Sequence, residues 1–404
     1  MLNVTDLLPA YARLAVLVGV NLQPGQLLAI DAPAEHAPFV RRIAEEAYVA
    51  GASYVDVYYG DELVRRAHIE HASDEKLGWS PPWLVERTRM LIREGGAALV
   101  IRGDPHPEVF SDLDGTRVAN ARMRELAATR LELTNGRCNW SIVAYPNEGW
   151  ARTVFGEPDV DRLWEAVATA VRLDEPDPVA AWQAHVDKLE RRAATLSARG
   201  FGSLRFRGPG TDLTVGLHAN GSWHAARDES NGIKHVANMP TEEVFTTPDA
   251  RRTEGIVRST YPLQIHGTIV RGLAVRFEGG RAVELRADEG EALMQTNIAT
   301  DDGAARLGEV ALVDRSSRVG QTGLVFYDTL FDENAASHIA FGAGLPRTVA
   351  GASELSAEER HERGVNHSTI HIDFMIGSPE VDTWGVTEEG DEIPILQHGD
   401  WVLG

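Results

Sequence analysis

The chain of 404 residues contains one cysteine, Cys138, which excludes an internal disulfide. The segment GRCNWS around it offers no second thiol or histidine, so we interpret Cys138 as a packed thiol rather than a nucleophile or metal ligand. No stretch approaches the roughly 18 consecutive apolar residues of a membrane span. The first residues lack a basic cluster and carry Asp6 and Pro9, unlike a secretory signal. These absences predict a cytoplasmic protein in a reducing compartment.

Positive charge is also scarce, since 39 basic residues accompany 60 acidic ones for a formal net charge of −21. Such a surface repels phosphate backbones and anionic lipids, so we expect neither nucleic acid nor a membrane as a partner. The Gly-x-Ser-x-Gly elbow, the His-Glu-x-x-His helix and a complete Gly-x-Gly-x-x-Gly fingerprint are all missing. The sequence therefore gives no support to a serine hydrolase, a helix-borne zinc site or a dinucleotide cofactor.

Two sequence textures divide the chain near residue 178. Residues 1–178 alternate helix-like segments with short apolar runs such as QLLAIDA and AALVIRG, which predicts an α/β domain with a largely parallel sheet. The charged, proline-bearing segment RLDEPDP at 172–178 ends this pattern, and an amphipathic helix follows at 179–199. Short alternating strands with glycine turns come next. We therefore predict a second, strand-rich α+β domain over 179–404.

The clearest chemical signal is a polar pair inside the apolar strand HSTIHIDFM at 367–375. His371 and Asp373 are two residues apart, so both side chains should leave one face of the strand, while the apolar residues between and beside them face the other way. An imidazole beside a carboxylate can be stabilised by their own pairing or by a bound metal ion. We take this pair as half of a candidate metal site and expect His367 to be a surface residue.

Acidic residues also stand beside apolar runs in two earlier segments of the second half. Glu242 and Glu243 lie in PTEEVFTTPD, where adjacent strand positions face opposite ways unless a bend turns both inward. Glu309 opens the apolar run LGEVALVD. A carboxylate there needs a cation, or a loop end that stays in water, because burying an unpaired charge costs several kcal/mol.

Two more segments place a histidine beside hydrophobic residues. Glu333 and His338 stand five apart in FDENAASHIAFG, where we predict the start of a helix capped by Asp332 or Asn334. This spacing alone does not define a ligand, because a histidine near a helix start is often a local hydrogen-bond partner. The pair 223–224 in NGSWHAA could line a pocket, but a Trp-His pair is also common in cores and on surfaces.

Taken in order, these segments resemble the metal-dependent exopeptidases of the aminopeptidase T and aminopeptidase S family. The similarity is carried by NMPTEEVFTTPD at 238–249, GEVALVD at 308–314, FDENAASHIAFG at 331–342 and NHSTIHIDFMIGS at 366–378. The first half matches in its α/β texture and in its opening LLPAYARLAVLVGVNLQPGQLLAI. Each motif is modest alone, but four in series are specific.

The resemblance implies an aminopeptidase that removes N-terminal residues from short peptides with two divalent ions of zinc, cobalt or manganese. The ligands that it implies are Glu243, Glu309, His338, His371 and Asp373. Among these, Glu309 is the expected bridge between the ions, and Glu333 is a further ligand or an acceptor for a ligating group. Glu242 is our candidate for the general base or acid, a role that it could exchange with Glu243. Homologues are dimers, so a homodimer is expected.

One position departs from the family. The resemblance implies a tyrosine seven residues after His338, and this chain has Leu345 there. The missing phenol removes a donor or ligand that would stabilise a tetrahedral intermediate. Lower activity, differently directed activity and a replacement group from elsewhere are the alternatives that follow.

Two other functions are compatible with the same residues. Ring-cleaving dihydroxypyridine dioxygenases are similar in fold to the family and hold one iron, for which His338, His371 and Asp373 would form a triad of two histidines and one carboxylate. A metal-binding relative that has lost turnover through Leu345 is the second. Glu243 and Glu309 favour two metals, and therefore the peptidase.

Overall fold

The computed structural model describes residues 4–134, 136–265 and 268–404. The chain packs as two compact units. The first contains the residues up to 184 together with 227–240, and the second contains 185–226 and 241–404. The domain boundary between 178 and 179 stays a prediction from composition. No helix of the described residues has both the length and the apolar character needed to cross a bilayer.

A four-stranded sheet forms the centre of the first unit. Its strands are β1 Leu27–Pro33, β2 Tyr54–Gly60, β3 Ala97–Arg102 and β4 Asn139–Ala144, all parallel and in the order β2-β1-β3-β4. Leu28 and Ile30 of β1 and Leu99 of β3 are fully buried, as expected for inner strands of a parallel sheet. The predicted α/β domain is confirmed.

Helices alternate with these strands. They are α1 Val4–Leu14, α2 Ala37–Val49, α3 Glu62–His71, α4 Asp74–Leu77, α5 Pro82–Arg93, α6 Gly115–Asn120, α7 Arg124–Thr134, α8 Glu148–Phe155, α9 Val160–Ala170 and α10 Pro178–Arg199. A π-helical turn at Ala15–Gly19 extends α1, and a 3₁₀ turn at Ala34–His36 precedes α2. The amphipathic helix predicted at 179–199 is α10, whose apolar positions from Trp182 to Leu196 are buried.

The second half is rich in strands, as predicted. Its strands are β5 Ser203–Gly208, β6 Thr211–Leu217, β7 Arg227–Ser230, β8 Ile233–Val236, β9 Val244–Thr246, β10 Pro248–Arg258, β11 Leu263–Ile265, β12 Thr268–Val270, β13 Ala274–Glu278, β14 Arg281–Arg286, β15 Leu307–Leu312, β16 His338–Gly342, β17 His371–Met375, β18 Asp382–Val386, β19 Glu392–Gln397 and β20 Asp400–Trp401. The helices are α11 Glu291–Ile298, α12 Arg318–Gln321, α13 Thr329–Asp332 and α14 Ala357–Glu362, with a 3₁₀ turn at Pro346–Thr348. The β7–β8 ribbon belongs to the first unit.

Two sheets make up the core of the second unit. One has eight strands in the order β14-β13-β10-β6-β5-β18-β19-β20, and the other has four antiparallel strands in the order β17-β16-β15-β9. The apolar face of the small sheet packs through aromatic rings. Phe341 of β16 stacks on Phe374 of β17 at 5.2 Å and meets Phe277 of β13 at 5.8 Å. That face is core, which leaves the opposite face of the small sheet to carry chemistry.

The helix predicted around His338 is wrong. The only turn of helix in FDENAASHIAFG is the end of α13, and His338 is the first residue of strand β16. The cap is Asp328, whose side chain accepts a hydrogen bond from the Leu330 amide, rather than Asp332 or Asn334. Pairing of β16 with strands on both sides overrides the local helical preference of the Ala-Ala-Ser segment.

Candidate metal centre

Strand register places four polar side chains on one face of the small sheet. Ala340 of β16 lies directly opposite both Glu309 of β15 and Asp373 of β17. Residues two apart on a strand share a face, so His338 and His371 project beside them. The methyl group of Ala340 fills little of the space between the two carboxylates. Potential metal ligands therefore surround Ala340 on this face of the sheet.

The first group of ligands, which we call triad 1, consists of Glu243, Glu309 and His338. Glu243 belongs to the loop directly before β9, and all three residues are buried. One ligand atom from each lies within 4.8 Å of the others. His338 Nε2 is 3.1 Å from Glu243 Oε2.

The second group, triad 2, consists of Glu309, His371 and Asp373, again with ligand atoms within 4.8 Å of one another. His371 Nε2 is 3.2 Å from Glu309 Oε2 and 3.3 Å from Asp373 Oδ1. His371 and Asp373 thus do share a face, as their spacing predicts. Glu309 belongs to both triads and lies between the two histidines.

The orientation of both histidines fits a metal ion. His338 Nδ1 lies 3.3 Å from the Ala336 carbonyl oxygen, and His371 Nδ1 lies 2.8 Å from that of Ala343. A carbonyl only accepts, so Nδ1 carries the hydrogen and a neutral ring turns its Nε2 lone pair towards the carboxylates. Oε2 of Glu243 is buried and accepts no hydrogen bond of normal geometry within the described residues. The histidine nitrogens and the carboxylate oxygens thus face one another as hydrogen-bond acceptors. A divalent cation between them, with nitrogen and oxygen ligands, suits this arrangement.

Surplus negative charge acts on the histidines. Burial lowers the pKa of His338, but the adjacent carboxylate of Glu243, with the charges of Asp373 and Glu309, outweighs it and raises that pKa to about 10. Burial also lowers the pKa of His371, yet Asp373 and Glu309 hold it well above its ordinary range. Protons and a divalent metal ion would therefore compete for the same side-chain atoms of this centre.

Burial and neighbouring charges also shift the pKa values of the carboxylates. Burial raises the pKa of Glu243, and the charges of Glu309 and Asp373 add to the effect. Burial raises the pKa of Asp373 too, but the imidazolium of His371 more than offsets it, and the net shift is downward. A compensating positive charge is what these groups require in common.

Glu333 lies beside the triads without belonging to either among the described residues. It is the residue after α13, and its Oε1 is 3.5 Å from Asn334 Nδ2. Burial, and then the charges of Asp373 and Glu243, raise its pKa well above the ordinary range. The carboxyl group is therefore close to the centre electrostatically, and its role as a ligand or as an acceptor stays a prediction.

Glu242 points to other surroundings than its neighbour Glu243. Its amide donates to Asn334 Oδ1 at 2.7 Å, and its Oε1 accepts a long hydrogen bond of 3.4 Å from the Arg318 amide. Its Oε2 is 3.5 Å from His185 Nε2. The two adjacent glutamates therefore have different surroundings, one in triad 1 and one in a buried polar network.

The sequence analysis missed His185. This residue is buried in α10, and its Nε2 lies 2.8 Å from the Thr241 carbonyl oxygen, directly before the glutamate pair. The signal was available, because His185 stands three residues after Trp182 and four before Leu189, on the apolar stripe of an amphipathic helix. A polar residue on such a stripe requires a partner, but its partner lies more than 50 residues further along the chain.

Leu345 lies in the loop that follows β16. Its amide donates to Thr247 Oγ1 at 2.8 Å, and its carbonyl oxygen accepts from Thr247 Oγ1 at 3.2 Å and Thr348 Oγ1 at 2.9 Å. The backbone at this position is therefore held firmly, and the side chain is partly buried. These contacts involve backbone atoms and would be compatible with other side chains at 345.

Comparison with known proteins agrees with this geometry. A family model described as thermophilic metalloprotease (M29) matches residues 4–401. Aminopeptidase T of Thermus aquaticus is 45% identical over 407 residues, which covers 99% of each chain. The solved structure of wild-type AmpT from Thermus thermophilus has a TM-score of 0.93 and 42% identity, and the match covers 99% of this chain and 100% of that one.

A second solved structure bears on the rival function. The 2,5-dihydroxypyridine dioxygenase of Pseudomonas putida KT2440 matches 100% of this chain and 99% of its own, with a TM-score of 0.54 and 11% identity. At that identity the likeness shows a common fold and nothing more. The matches to the family model and to aminopeptidase T extend over nearly the whole length and confirm the resemblance carried by the four motifs. The chain belongs to the thermophilic metalloprotease family M29, the family of aminopeptidase T.

Proposed function

We propose that this chain is a dinuclear metallo-aminopeptidase that removes N-terminal residues from short peptides. The class of enzyme, a metallo-aminopeptidase, follows from the family and its curated members. The number of ions, the roles of residues and the size of the substrate are the proposal. The observation that carries it is the double membership of Glu309, which gives two overlapping groups of three ligands on one sheet face.

In this proposal each triad holds one ion. Glu243 and His338 would hold the first ion and His371 and Asp373 the second, and Glu309 would be shared by both. Divalent ions of zinc, cobalt or manganese there would polarise the scissile carbonyl and lower the pKa of a bound water. Glu333 would be a further ligand, or a hydrogen-bond acceptor that orients one of the ligands.

Glu242 is the proposed proton carrier. Its carboxylate would take a proton from the attacking water and pass it to the amine that leaves when the peptide bond breaks. One hydrogen bond from the Arg318 amide, at 3.4 Å, orients Oε1, and Oε2 lies 3.5 Å from His185 Nε2. The free amino group of the substrate would bind near the metal ions and the acidic side chains of the centre.

The rival dioxygenase would need a single iron on His338, His371 and Asp373. In the structure both histidines face additional carboxylates, at 3.1 Å for Glu243 and 3.2 Å for Glu309. A mononuclear site gives no reason for these two glutamates, which favours the dinuclear peptidase. Cytoplasmic location, expected from the single cysteine, and a homodimer, expected from the family resemblance, are further parts of the proposal.

Metal analysis and activity test the proposed function together. We expect purified, fully loaded protein to contain two divalent ions per chain and to release the N-terminal residue of aminoacyl anilides and short peptides. Chelation should abolish that release, and addition of zinc, cobalt or manganese should restore it. One iron per chain with oxygen uptake would support the dioxygenase instead. Two bound ions without any peptide cleavage would indicate a metal-binding relative that has lost turnover. Leu345→Tyr would then be the first substitution to test.

Two alanine variants in the same segment test whether His371 is a metal ligand. His371→Ala should lose about one ion per chain and at least about 10–100-fold in kcat/KM, the cost of disturbing even a group that only orients a ligand. The matched control is His367→Ala, because His367 is exposed and lies four residues earlier, before the strand. The control should keep both ions. Unchanged metal content in His371→Ala, measured by mass spectrometry of the metals, would refute its role.

A further inference from the structure

The peptide group that joins Thr241 to Glu242 is held at both ends by buried side chains. Its carbonyl oxygen lies 2.8 Å from His185 Nε2, and its amide, the Glu242 N–H, donates to Asn334 Oδ1 at 2.7 Å. A carbonyl oxygen only accepts hydrogen bonds, so His185 Nε2 carries the hydrogen. We call His185 and Asn334 the peptide clamp.

The two side chains of the peptide clamp come from distant parts of the second unit. His185 belongs to α10, 56 residues before Thr241, and Asn334 follows α13, 92 residues after Glu242. Both side chains are buried, Asn334 completely. Residues 241–243 precede β9 and belong to no strand, so side chains here take the place of ladder hydrogen bonds. Ordering and desolvating two polar side chains costs free energy, which indicates that the orientation of this one peptide group matters.

The orientation of the peptide group decides where Glu242 points. A peptide group is planar, so turning it changes φ of Glu242 and with it the direction of the side chain. In the held orientation Oε1 accepts the hydrogen bond of 3.4 Å from the Arg318 amide, and Oε2 lies 3.5 Å from His185 Nε2. These two contacts of the carboxylate are long, and long hydrogen bonds are weak. The shorter hydrogen bonds to the backbone are therefore the stronger constraint.

Asn334 also fixes the segment that contacts the carboxylate. Its Nδ2 donates to the Leu330 carbonyl oxygen at 2.9 Å, which sets the orientation of the side-chain amide. Its own carbonyl oxygen accepts a hydrogen bond of 2.6 Å from Ser317 Oγ. Ser317 directly precedes Arg318, whose amide donates to Glu242 Oε1. One buried asparagine thus connects the backbone of Glu242 with the donor to its carboxylate.

We infer that His185 and Asn334 are positioning residues for Glu242, the proposed proton carrier. By fixing the peptide group before it, they hold the carboxylate where it can take a proton from the attacking water. A displacement of about 1 Å in an active site can cost about 100-fold in rate. The inference rests on the proposed function and deepens it, because the peptide clamp acts through Glu242 and not on the metal ions.

Two substitutions of His185 separate its hydrogen bond from its packing. His185→Phe keeps a ring but cannot donate to the Thr241 carbonyl oxygen, so kcat for leucine p-nitroanilide should fall about 10- to 100-fold, with KM nearly unchanged and both ions retained. His185→Gln offers an N–H donor again and should recover most of the wild-type kcat. The control Val186→Ala, at the next buried position of α10, should lower the Tm and keep kcat. An unchanged kcat in His185→Phe, or loss of an ion from it, would overturn the inference.

A double-mutant cycle shows whether the peptide clamp acts through Glu242. In the wild-type background Asn334→Ala should lower kcat as His185→Phe does, because it releases the amide end of the same peptide group. In the Glu242→Gln background each of these substitutions should change kcat by less than about twofold, since the group that they position is already lost. A general loss of folded structure would lower kcat equally in both backgrounds. Equal losses would therefore overturn the inference.

The same measurements distinguish failure of this inference from failure of the proposed function. A wild type that binds two ions and cleaves neither anilides nor short peptides would refute the peptidase, and the inference would fall with it. A wild type that cleaves them, with kcat of His185→Phe within about twofold of its own, would refute the peptide clamp alone. Activity lost in His185→Phe but kept in Glu242→Gln would also refute the clamp and leave the peptidase in place.

Discussion

Replacing Glu309 by glutamine should remove both ions and lower kcat/KM by at least about 10³-fold, since even groups that merely orient a ligand are worth about 10–100-fold. Among the described residues, Glu309 alone belongs to both triads. Glutamine keeps the length of the side chain but offers one neutral oxygen, so it can neither bridge two cations nor balance their charge. Loss of both ions from a single substitution would distinguish a bridge from an ordinary ligand.

Thermal melting provides the second measurement for this substitution. An ion that binds only the folded chain stabilises it by about 2.7 kcal/mol at a hundred times its Kd. Added zinc, cobalt or manganese should therefore raise the Tm of the wild type and leave that of Glu309→Gln nearly unchanged. Glu389→Gln, in an exposed turn of the same unit, is the matched control and should respond like the wild type. Full metal content and full activity in Glu309→Gln would contradict the dinuclear proposal.

Short-range spacing made half of this centre predictable. A strand has a period of two, so the order of residues in HSTIHIDFM is enough to put His371 and Asp373 on one face opposite a buried one. The structure brings their ligand atoms within 3.3 Å. The same rule allowed Glu242 and Glu243 to separate or a bend to turn both inward, and in the loop before β9 they separate. Local periodicity carries this information because it needs no knowledge of distant partners.

The other half depends on pairing between distant strands. Whether Glu309 and His338 meet is decided by the register of β15 against β16, and β16 in turn pairs with β17 more than 25 residues away. Composition of FDENAASHIAFG favours a helix, and the prediction that His338 lies near a helix start failed because these long-range hydrogen bonds outweigh a weak local preference. From the sequence, only the family resemblance indicated that the four segments come together in one site.

The return of residues 227–240 to the first unit could not be predicted from the sequence either. Backbone hydrogen bonds join the Ile142 amide to the Ala237 carbonyl at 2.8 Å and the Met239 amide to the Ile142 carbonyl at 3.0 Å. Backbone groups are the same in every residue and leave no trace in composition. The glutamate pair follows directly after this excursion, so the segment that leads into triad 1 begins on one unit and ends on the other.

Replacing Glu242 by glutamine should lower kcat by about 10²–10⁴-fold, the usual contribution of a general base, and leave both ions in place. The reason is that the two adjacent glutamates make different contacts. Glu243 Oε2 faces His338 at 3.1 Å inside triad 1, whereas the oxygens of Glu242 meet the Arg318 amide and His185 outside it. An amide at 242 keeps the shape of this network but can no longer accept a proton from water.

The neighbouring variant is the matched comparison, because the sequence alone allowed the two glutamates to exchange roles. Glu243→Gln should lose the ion of triad 1 together with activity, and its remaining turnover should respond to added metal. Glu242→Gln should be saturated with metal and remain slow at every metal concentration, with little change in KM. Metal content and kcat measured on both variants decide between the roles. If Glu242→Gln lost metal, or kept its kcat within about twofold of the wild type, a different group would have to carry the proton, and Glu333, partly buried beside both triads, is the residue to replace next.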